Sequence, residues 1–358
     1  MIRYLGLKLG TAILALWGVA SLVFFLFNVL PGDPAQMMLD QNEDQEQLKV
    51  IKSKFGFDLP LTTQYLYYLN DLLPISIHSK DSSVFGSYNR ETYGGWILFT
   101  TQAKVWVMKP PYFRTSFQKR GKPIAEIIKE TLPNTALLAF SSMCLAVVLG
   151  VFLGVVATLN KNTWLDRLLQ LISTLGMSVP SFFSAILFSW LFGYVLHEFT
   201  GLNMTGSLFE LDDLGEENRI QWKNLILPSL VLGIRPLAVI IQLLRSNLLE
   251  VLAEDYIRTA YAKGLSRYQV VFKHALKNAL NPVITAISGW FASLLAGAIF
   301  VEYIFGWKGL GKEIVEALNQ LDIPVVMGSV LTIAFFFIII NIVVDFIYAY
   351  LDPRIKTI

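Results

Sequence analysis

The sequence predicts an all-α polytopic membrane protein of six spans, and two observations predict it. Hydrophobic residues make up 54% of the 358, charged residues only 16%, and the mean hydropathy is +0.53, well outside the balance of soluble domains. Six runs, uncharged but for one Arg, also reach the roughly 20 residues that a helix needs to cross a hydrocarbon core of about 30 Å. With no water there to satisfy backbone groups, such runs must be helical. The net charge of +2, from 29 Lys+Arg and 27 Asp+Glu, gives no basis for nucleic-acid binding. One cysteine, Cys144, rules out an intramolecular disulfide, and three scattered histidines argue against a His-built metal centre.

The spans read as Leu9 to Leu30, Leu132 to Leu159, Leu168 to Leu196, Leu225 to Leu244 (interrupted by Arg235), Asn278 to Val301 and Ile323 to Val344. Pro180, Pro236 and Pro282 mark kinks or first turns. The first run holds 22 uncharged residues and leads into Pro31-Gly32-Asp33-Pro34 rather than a small-residue cleavage site, so it reads as a retained anchor. Six spans put both termini on one side. The short segments on that side (the N-terminus, 160–167, 245–277 and the tail) hold 12 Lys and Arg, against four in 200–223 and 305–322, so both termini are expected in the cytoplasm.

The segment 31–131 then lies outside and is too long to be structureless. Glu43 to Phe55, stopped by Gly56, and Leu61 to Leu73 after Pro60 read as helices, the second with Tyr65, Leu66, Leu69 and Leu73 on one face. Ser79 to Thr115 reads as loop or short strands. The second external loop is acidic, through Glu210, Asp212, Asp213, Glu216 and Glu217: a solvated loop or part of a docking surface for an external protein.

Catalytic motifs are missing. Gly306-Trp307-Lys308-Gly309-Leu310-Gly311-Lys312 matches half of a P-loop, but Glu313 stands where Ser or Thr should reach Mg2+ and no strand precedes it. The segment reads as a glycine-rich turn. No cytoplasmic segment is large enough for a nucleotide-binding domain, so the chain is not expected to be an enzyme. An ionisable residue inside a span is costly, and only Arg235 is central. It either lines a translocation pathway near an anionic substrate group or pairs structurally with a carbonyl or acid of a neighbouring helix. Arg235 and Gln242 are the pathway candidates. His197, Glu198, Glu302 and Asp345 fall near span ends, where interfacial solvation suffices.

Segment 245–277 reads as helix, sharp turn, helix. Leu252, Tyr256 and Ala260 recur every four residues, as do Leu249, Ala253, Ile257 and Tyr261, and Glu254 precedes Arg258 by four. Gly264 supplies the stop, and Ser266 with Gln269 forms a capping box that starts a helix running to Asn281-Pro282. Small residues at Ala260, Ala262 and Gly264 would let another protein approach; the alternative is an amphipathic helix lying on lipid.

Glu254-Asp255-Tyr256-Ile257-Arg258-Thr259-Ala260-Tyr261-Ala262-Lys263-Gly264-Leu265-Ser266, followed by His274-Ala275-Leu276-Lys277-Asn278-Ala279-Leu280 and Pro282, resembles the EAA loop of ABC-importer permeases of the dipeptide and oligopeptide family, in its DppB/OppB-type subunits. Further matches follow in order: Leu30-Pro31-Gly32-Asp33-Pro34, Phe55-Gly56-Phe57-Asp58, Thr131-Leu132-Pro133-Asn134-Thr135, Leu227-Pro228-Ser229, Arg245-Ser246, Val301-Glu302, Gly309-Leu310-Gly311 and Asp352-Pro353-Arg354. The resemblance implies a type I ABC-importer permease in the bacterial inner membrane, taking di- or oligopeptides, or another solute such as a nickel chelate or glutathione. A membrane scaffold or receptor is the rival from another class.

As partners the resemblance implies a homologous second permease in a heterodimer, two cytoplasmic ATPases and an extracytoplasmic substrate-binding protein, besides membrane lipids. It implies no cofactor in this chain, ATP and Mg2+ being held by the ATPases. Carried over residue by residue, Glu254, Asp255, Tyr256, Arg258, Thr259, Ala260, Ala262, Lys263, Gly264 and Leu265 become the ATPase-coupling helix. The chain then divides into 1–30 (N-terminus and first span), 31–131 (external domain), 132–351 (permease core, with coupling loop 245–277) and 352–358 (cytoplasmic tail). Three departures stand out: an aromatic-rich insertion at 76–113 where the family has a shorter stretch, Lys308 where proline is common, and Tyr261 where arginine is common.

Overall fold

The computed structural model of the chain describes residues 2–29, 45–82, 84–119, 121–211 and 218–351. The turn at Pro31-Gly32-Asp33-Pro34, Glu43, four of the acidic-loop carboxylates (Asp212, Asp213, Glu216, Glu217) and Asp352-Pro353-Arg354 lie outside the described residues. The chain forms two compact units, one of residues 5–130 with 316–334, the other of 1–4, 131–315 and 335–358.

The first unit holds most of α1 (Ile2–Val29), α2 (Gln45–Phe55), α3 (Leu61–Leu72) and α4 (Arg90–Tyr93). Its insertion folds as a three-stranded antiparallel sheet, β1 (Ile75–Ser79), β2 (Trp96–Thr100) and β3 (Lys104–Met108), with β3 in the middle and Ile75 facing Met108. Gly56, at φ +73°, ends α2, and Pro60 sets the first turn of α3. The buried face of α3 differs from expectation. Tyr65, Tyr68, Leu69 and Leu72 pack on Ala20, Phe24 and Leu331, whereas Leu66 is exposed and Leu73 is the exposed C-cap.

Polar anchors close this unit. Arg114 donates to the buried Asp71 carboxylate at 3.0 Å, and the Asp71 carbonyl accepts from Lys109 Nζ and the Tyr112 N–H. Burial raises the Asp71 carboxyl against the opposing pull of Arg114, and lowers the His78 imidazole. The Asp322 carboxylate accepts from the Ser116 hydroxyl and from the N–H groups of Phe117 (3.0 Å) and Gln118 (3.3 Å).

The second unit is helical. In chain order come α5 (Ile124–Leu159, which begins in the first unit), α6 (Trp164–Ser178), α7 (Ser181–Trp190, prolonged by a wide turn to Val195) and α8 (His197–Thr200). A short hairpin of β4 (Phe209–Leu211) and β5 (Asn218–Ile220) leads to α9 (Lys223–Leu252). After it come α10 (Asp255–Ala262), α11 (Arg267–Gln269), α12 (Leu276–Ala279), α13 (Asn281–Phe305), α14 (Leu310–Asn319) and α15 (Ile323–Leu351). Among the described residues, five helices are long and apolar enough to cross a membrane, or six if the bent pair α6–α7 counts as one span.

Two spans depart from expectation. The third is not one rod, because α6 and α7 meet at 112°. Val179, which precedes Pro180, is held in the extended region (ψ 130°), where the proline ring forbids α geometry. The fourth is the reverse. The helix α9 runs without interruption through Pro228 and Pro236, so the chain stays helical beside Arg235 although Pro236 removes one backbone hydrogen bond there.

Glycines let α5 and α9 approach closely, as small residues do between apolar helices. A Cβ on Gly150 would stand 2.7 Å from Ile240 Cγ2, and one on Gly233 would stand 2.9 Å from the Ser142 carbonyl. Two buried clusters stand out among the described residues of this unit. One gathers Leu138, Val231, Leu294, Ala298, Val301, Phe305 and Trp307; the other gathers Ala146, Ile240, Leu244 and Leu248 with Ile257, Val270 and Ala275 of the loop after α9.

The glycine-rich turn after α13 closes around a carboxylate of this chain. Glu302 is fully buried, not solvated at a span end as expected, and its Oε2 accepts from the N–H groups of Gly311 (2.6 Å) and Lys312 (3.2 Å) at the start of α14. The amides that cradle phosphate in a P-loop are thus occupied by Glu302. Residues of the Pro133-Asn134-Thr135 motif complete the turn. Trp307 Nε1 donates to the Asn134 carbonyl (3.0 Å), Asn134 Nδ2 to the Lys308 carbonyl (2.7 Å), and the Leu310 N–H to Thr135 Oγ1 (2.8 Å).

No side chain fits at Gly311, where a Cβ would stand 2.5 Å from Ile299 Cα and 2.9 Å from the Glu302 carboxylate. Gly311→Ala is therefore expected to destabilise by about 1–3 kcal/mol through overpacking. The control Gly10→Ala, with nothing within 4 Å of its Cβ, should leave stability intact. Thermal unfolding of the purified protein in detergent checks both.

Candidate functional site

The loop between α9 and α13 is built outward from a buried ion pair. Asp166 in the first turn of α6 is 1% exposed, and Arg245 near the end of α9 donates to both its oxygens, at 2.6 and 2.8 Å. The remaining lone pairs take the Asn162 N–H (2.9 Å) and Gln170 Nε2 (2.9 Å), while the Thr163 side chain caps α6. The carboxylate is thus fully satisfied, as a buried charge must be. It joins the start of α6 to the end of α9.

From that end α10 departs. The chain breaks helix at Ala253 and Glu254, so Leu249, Leu252 and Ala253 belong to α9 and its C-cap rather than to one long amphipathic helix. Glu254 is the N-cap, in extended geometry, and so cannot make the expected pair with Arg258. Arg258 instead reaches Asp255 at 3.2 Å, an exposed contact worth little. The far end closes as a Schellman turn. Gly264, at φ +79°, donates to the Tyr261 carbonyl (2.9 Å) and Leu265 to the Ala260 carbonyl (3.3 Å), with Leu265 packing back onto the same cluster as Ala260.

The capping box forms as expected, Ser266 Oγ accepting from the Gln269 N–H and Gln269 Oε1 from the Ser266 N–H. The helix it opens is not regular: α11 passes through a π segment (Val270–Ala275) before α12.

Burial divides the candidate coupling residues. Ile257 and Ala260 are buried against Ile240, Leu244, Leu248 and Val271. Ala260 is therefore not a surface on which another protein could close. Glu254, Asp255, Tyr256, Arg258, Thr259, Ala262, Lys263 and Gly264 are exposed, together with Tyr261. Two tethers steady this face: Asn278 Nδ2 donates to the Tyr256 hydroxyl (2.8 Å), and Arg267 to the Leu159 carbonyl at the end of α5 (3.0 Å). The result is a short helix fixed on its inner side and open on its outer side.

The pathway candidates sit elsewhere. Arg235 and Gln242 lie seven residues apart on α9, two turns along one face. Arg235 is exposed in a cleft shared with Ser181 and Ser184 of α7 and Trp290 and Ser293 of α13, and it bonds to no described residue. Gln242 is half-buried. Among the described residues, no group of three or more His, Cys, Asp or Glu could hold a metal ion.

The Asp166–Arg245 pair was not visible in sequence. Asp166 sits in a short charged connection and Arg245 at a span end, each ordinary alone; only the meeting of α6 with α9, 79 residues apart, joins them.

A multi-span helical core with a short exposed helix hung from one span is the architecture of a permease subunit. Residues 146–357 match the family described as binding-protein-dependent transport system inner membrane component, and residues 1–139 match its N-terminal membrane component. The chain belongs to this family and is an ABC-importer permease. It is 33% identical to a dipeptide transport system permease of Alkalihalophilus pseudofirmus, the match covering 99% of this chain and all of the relative. It is likewise 33% identical to a glutathione transport system permease of Salmonella typhimurium, over 99% of both chains. A permease structure from the inward-facing MetNI methionine ABC transporter aligns with a TM-score of 0.51 at 18% identity, covering 64% of this chain and 98% of that one, a likeness of fold.

Asp166→Asn should leave the Arg245 guanidinium, only 19% exposed, without a charged partner. The expected loss is about 3–5 kcal/mol, read by thermal unfolding of the purified protein. Asp255→Asn, which breaks the exposed pair, should leave the transition unchanged.

Proposed function

We propose that the chain is the permease subunit of an ATP-driven importer of di- or oligopeptides, working in a heterodimer with a homologous permease. Two cytoplasmic ATPases, which hold ATP and Mg2+, and an extracytoplasmic binding protein complete the complex. In this reading both termini and the 245–277 loop face the cytoplasm, and the domain rich in β-structure at 75–108 faces outward, toward the binding protein. Names carried by relatives over nearly full length support the peptide substrate.

The observation that carries the coupling role is the two-sided helix α10. Its inner residues Ile257 and Ala260 are locked to α9, while Asp255, Arg258, Thr259, Ala262 and Lys263 are open to an ATPase groove. Force applied to the outer face is delivered to α9 and, through α11 and α12, to α13. Coupling requires that the contact differ in energy between the open and closed ATPases, since equal contact would shift nothing. A second reading has specific support: the relatives named as glutathione permeases match equally well, and glutathione is itself a tripeptide.

Gly264→Pro removes both the positive φ and the N–H that close α10, and Arg258→Glu reverses the charge of its outer face. Each is expected to abolish binding-protein-stimulated ATP hydrolysis in the reconstituted complex while membrane insertion stays normal. Unaltered transport in both variants would contradict the coupling role.

A further inference from the structure

Arg235 is the thirteenth residue of α9, about 18 Å from its start and thus well inside a span. A guanidinium at that depth is expensive unless a counter-charge or water meets it. None is supplied by the described residues: Arg235 bonds to none of them, and no Asp or Glu is among those that line its cleft. The remaining polar lining is hydroxyl, from Ser181, Ser184 and Ser293, with Trp290 forming an aromatic wall. Three helices therefore bring together one unpaired planar cation and three small hydrogen-bonding groups.

Two buried carboxylates of this unit do have partners. Asp166 has Arg245, and the Glu302 carboxylate has the amides of α14. Among the described residues, Arg235 stands central and open in its span. The guanidinium fork fits a carboxylate through two parallel hydrogen bonds, and the serine hydroxyls can donate to the same oxygens. We infer that the Arg235 cleft receives the free C-terminal carboxylate of the peptide during passage, so that this permease favours solutes carrying an unblocked carboxylate. The inference rests on the peptide reading above and assigns the specificity group of the pathway.

The test uses the complete complex in vesicles with one dipeptide in two forms, free acid and C-terminal amide, each loaded on the binding protein and the loading checked by mass spectrometry. For each peptide the rate of the Arg235→Gln complex is divided by that of wild type, so discrimination by the binding protein cancels. The free acid should fall about tenfold or more, the loss expected of a charge-assisted hydrogen bond, and the amide should change little. Arg235→Lys, keeping charge without the fork, should restore part of the free-acid rate. Equal falls for both peptides would make Arg235 a structural residue, and no fall for either would remove it from the pathway; each overturns the inference while leaving the peptide reading intact. If Arg235→Gln fails to assemble, Arg235→Lys carries the test by the same ratio. Wild type that moves neither peptide, yet hydrolyses ATP when the loaded binding protein is added, would overturn the peptide reading and the carboxylate assignment with it.

Discussion

The arrangement of the helical unit depends on the ion pair between Asp166 and Arg245. A buried pair adds little net stability relative to apolar packing, because desolvation offsets much of the attraction. What it supplies is a single registration. With every lone pair of Asp166 filled by Arg245, Asn162 or Gln170, the start of α6 can meet the end of α9 in one way. That end is where α10 begins. Fixing it determines where the outer face of α10 points, and Ile257 and Ala260 then seat the helix in the cluster around Leu244 and Leu248.

Charges at the two ends of this unit are treated alike, and the middle is treated differently. At one end Asp166 is clasped by a guanidinium; at the other Glu302 is wrapped by the amides of a glycine-rich turn that tolerates no side chain at Gly311. Between them Arg235 shares its cleft with serine hydroxyls, Trp290 and apolar side chains, and with no described carboxylate. Asp166 is satisfied on both oxygens and Glu302 on Oε2, whereas Arg235 bonds to no described residue, which is the ground for inferring a partner outside the chain. In the function proposed above, the rigid ends would transmit motion and the open centre would meet cargo.

Much of the fold was legible because bilayer physics writes it into composition. Five spans follow from apolar length alone, and the turn at Gly264 with the Ser266–Gln269 capping box follows from local hydrogen-bond chemistry. What escaped needed partners distant in sequence. Pro180 announced a kink, but the 112° angle depends on how α7 packs against α9 and α13. The sheet at 75–108 has strands of five residues whose pairing is set by β3 lying between the other two. The periodic apolar run through Leu249, Leu252 and Ala253 gave no warning that helix stops before Glu254, because its four-residue spacing continues across the break to Tyr256, Ile257 and Ala260. Ala260 looked available because small residues mark both close contacts within a chain and contacts between chains. Only burial tells them apart.

The proposed coupling role depends on a rigid mount for α10. Spin labels at Tyr261 of α10, outside the proposed ATPase-facing residues, and at Ser246 of α9, both exposed, would report it directly through pulsed dipolar distance measurements on the complete complex, without nucleotide and with ATP trapped. One unchanged distance distribution in both states is predicted, since α10 and α9 should move as a single body. A shift or broadening of that distance on ATP binding would mean that α10 flexes against α9, and the motion would not reach the spans in the way described.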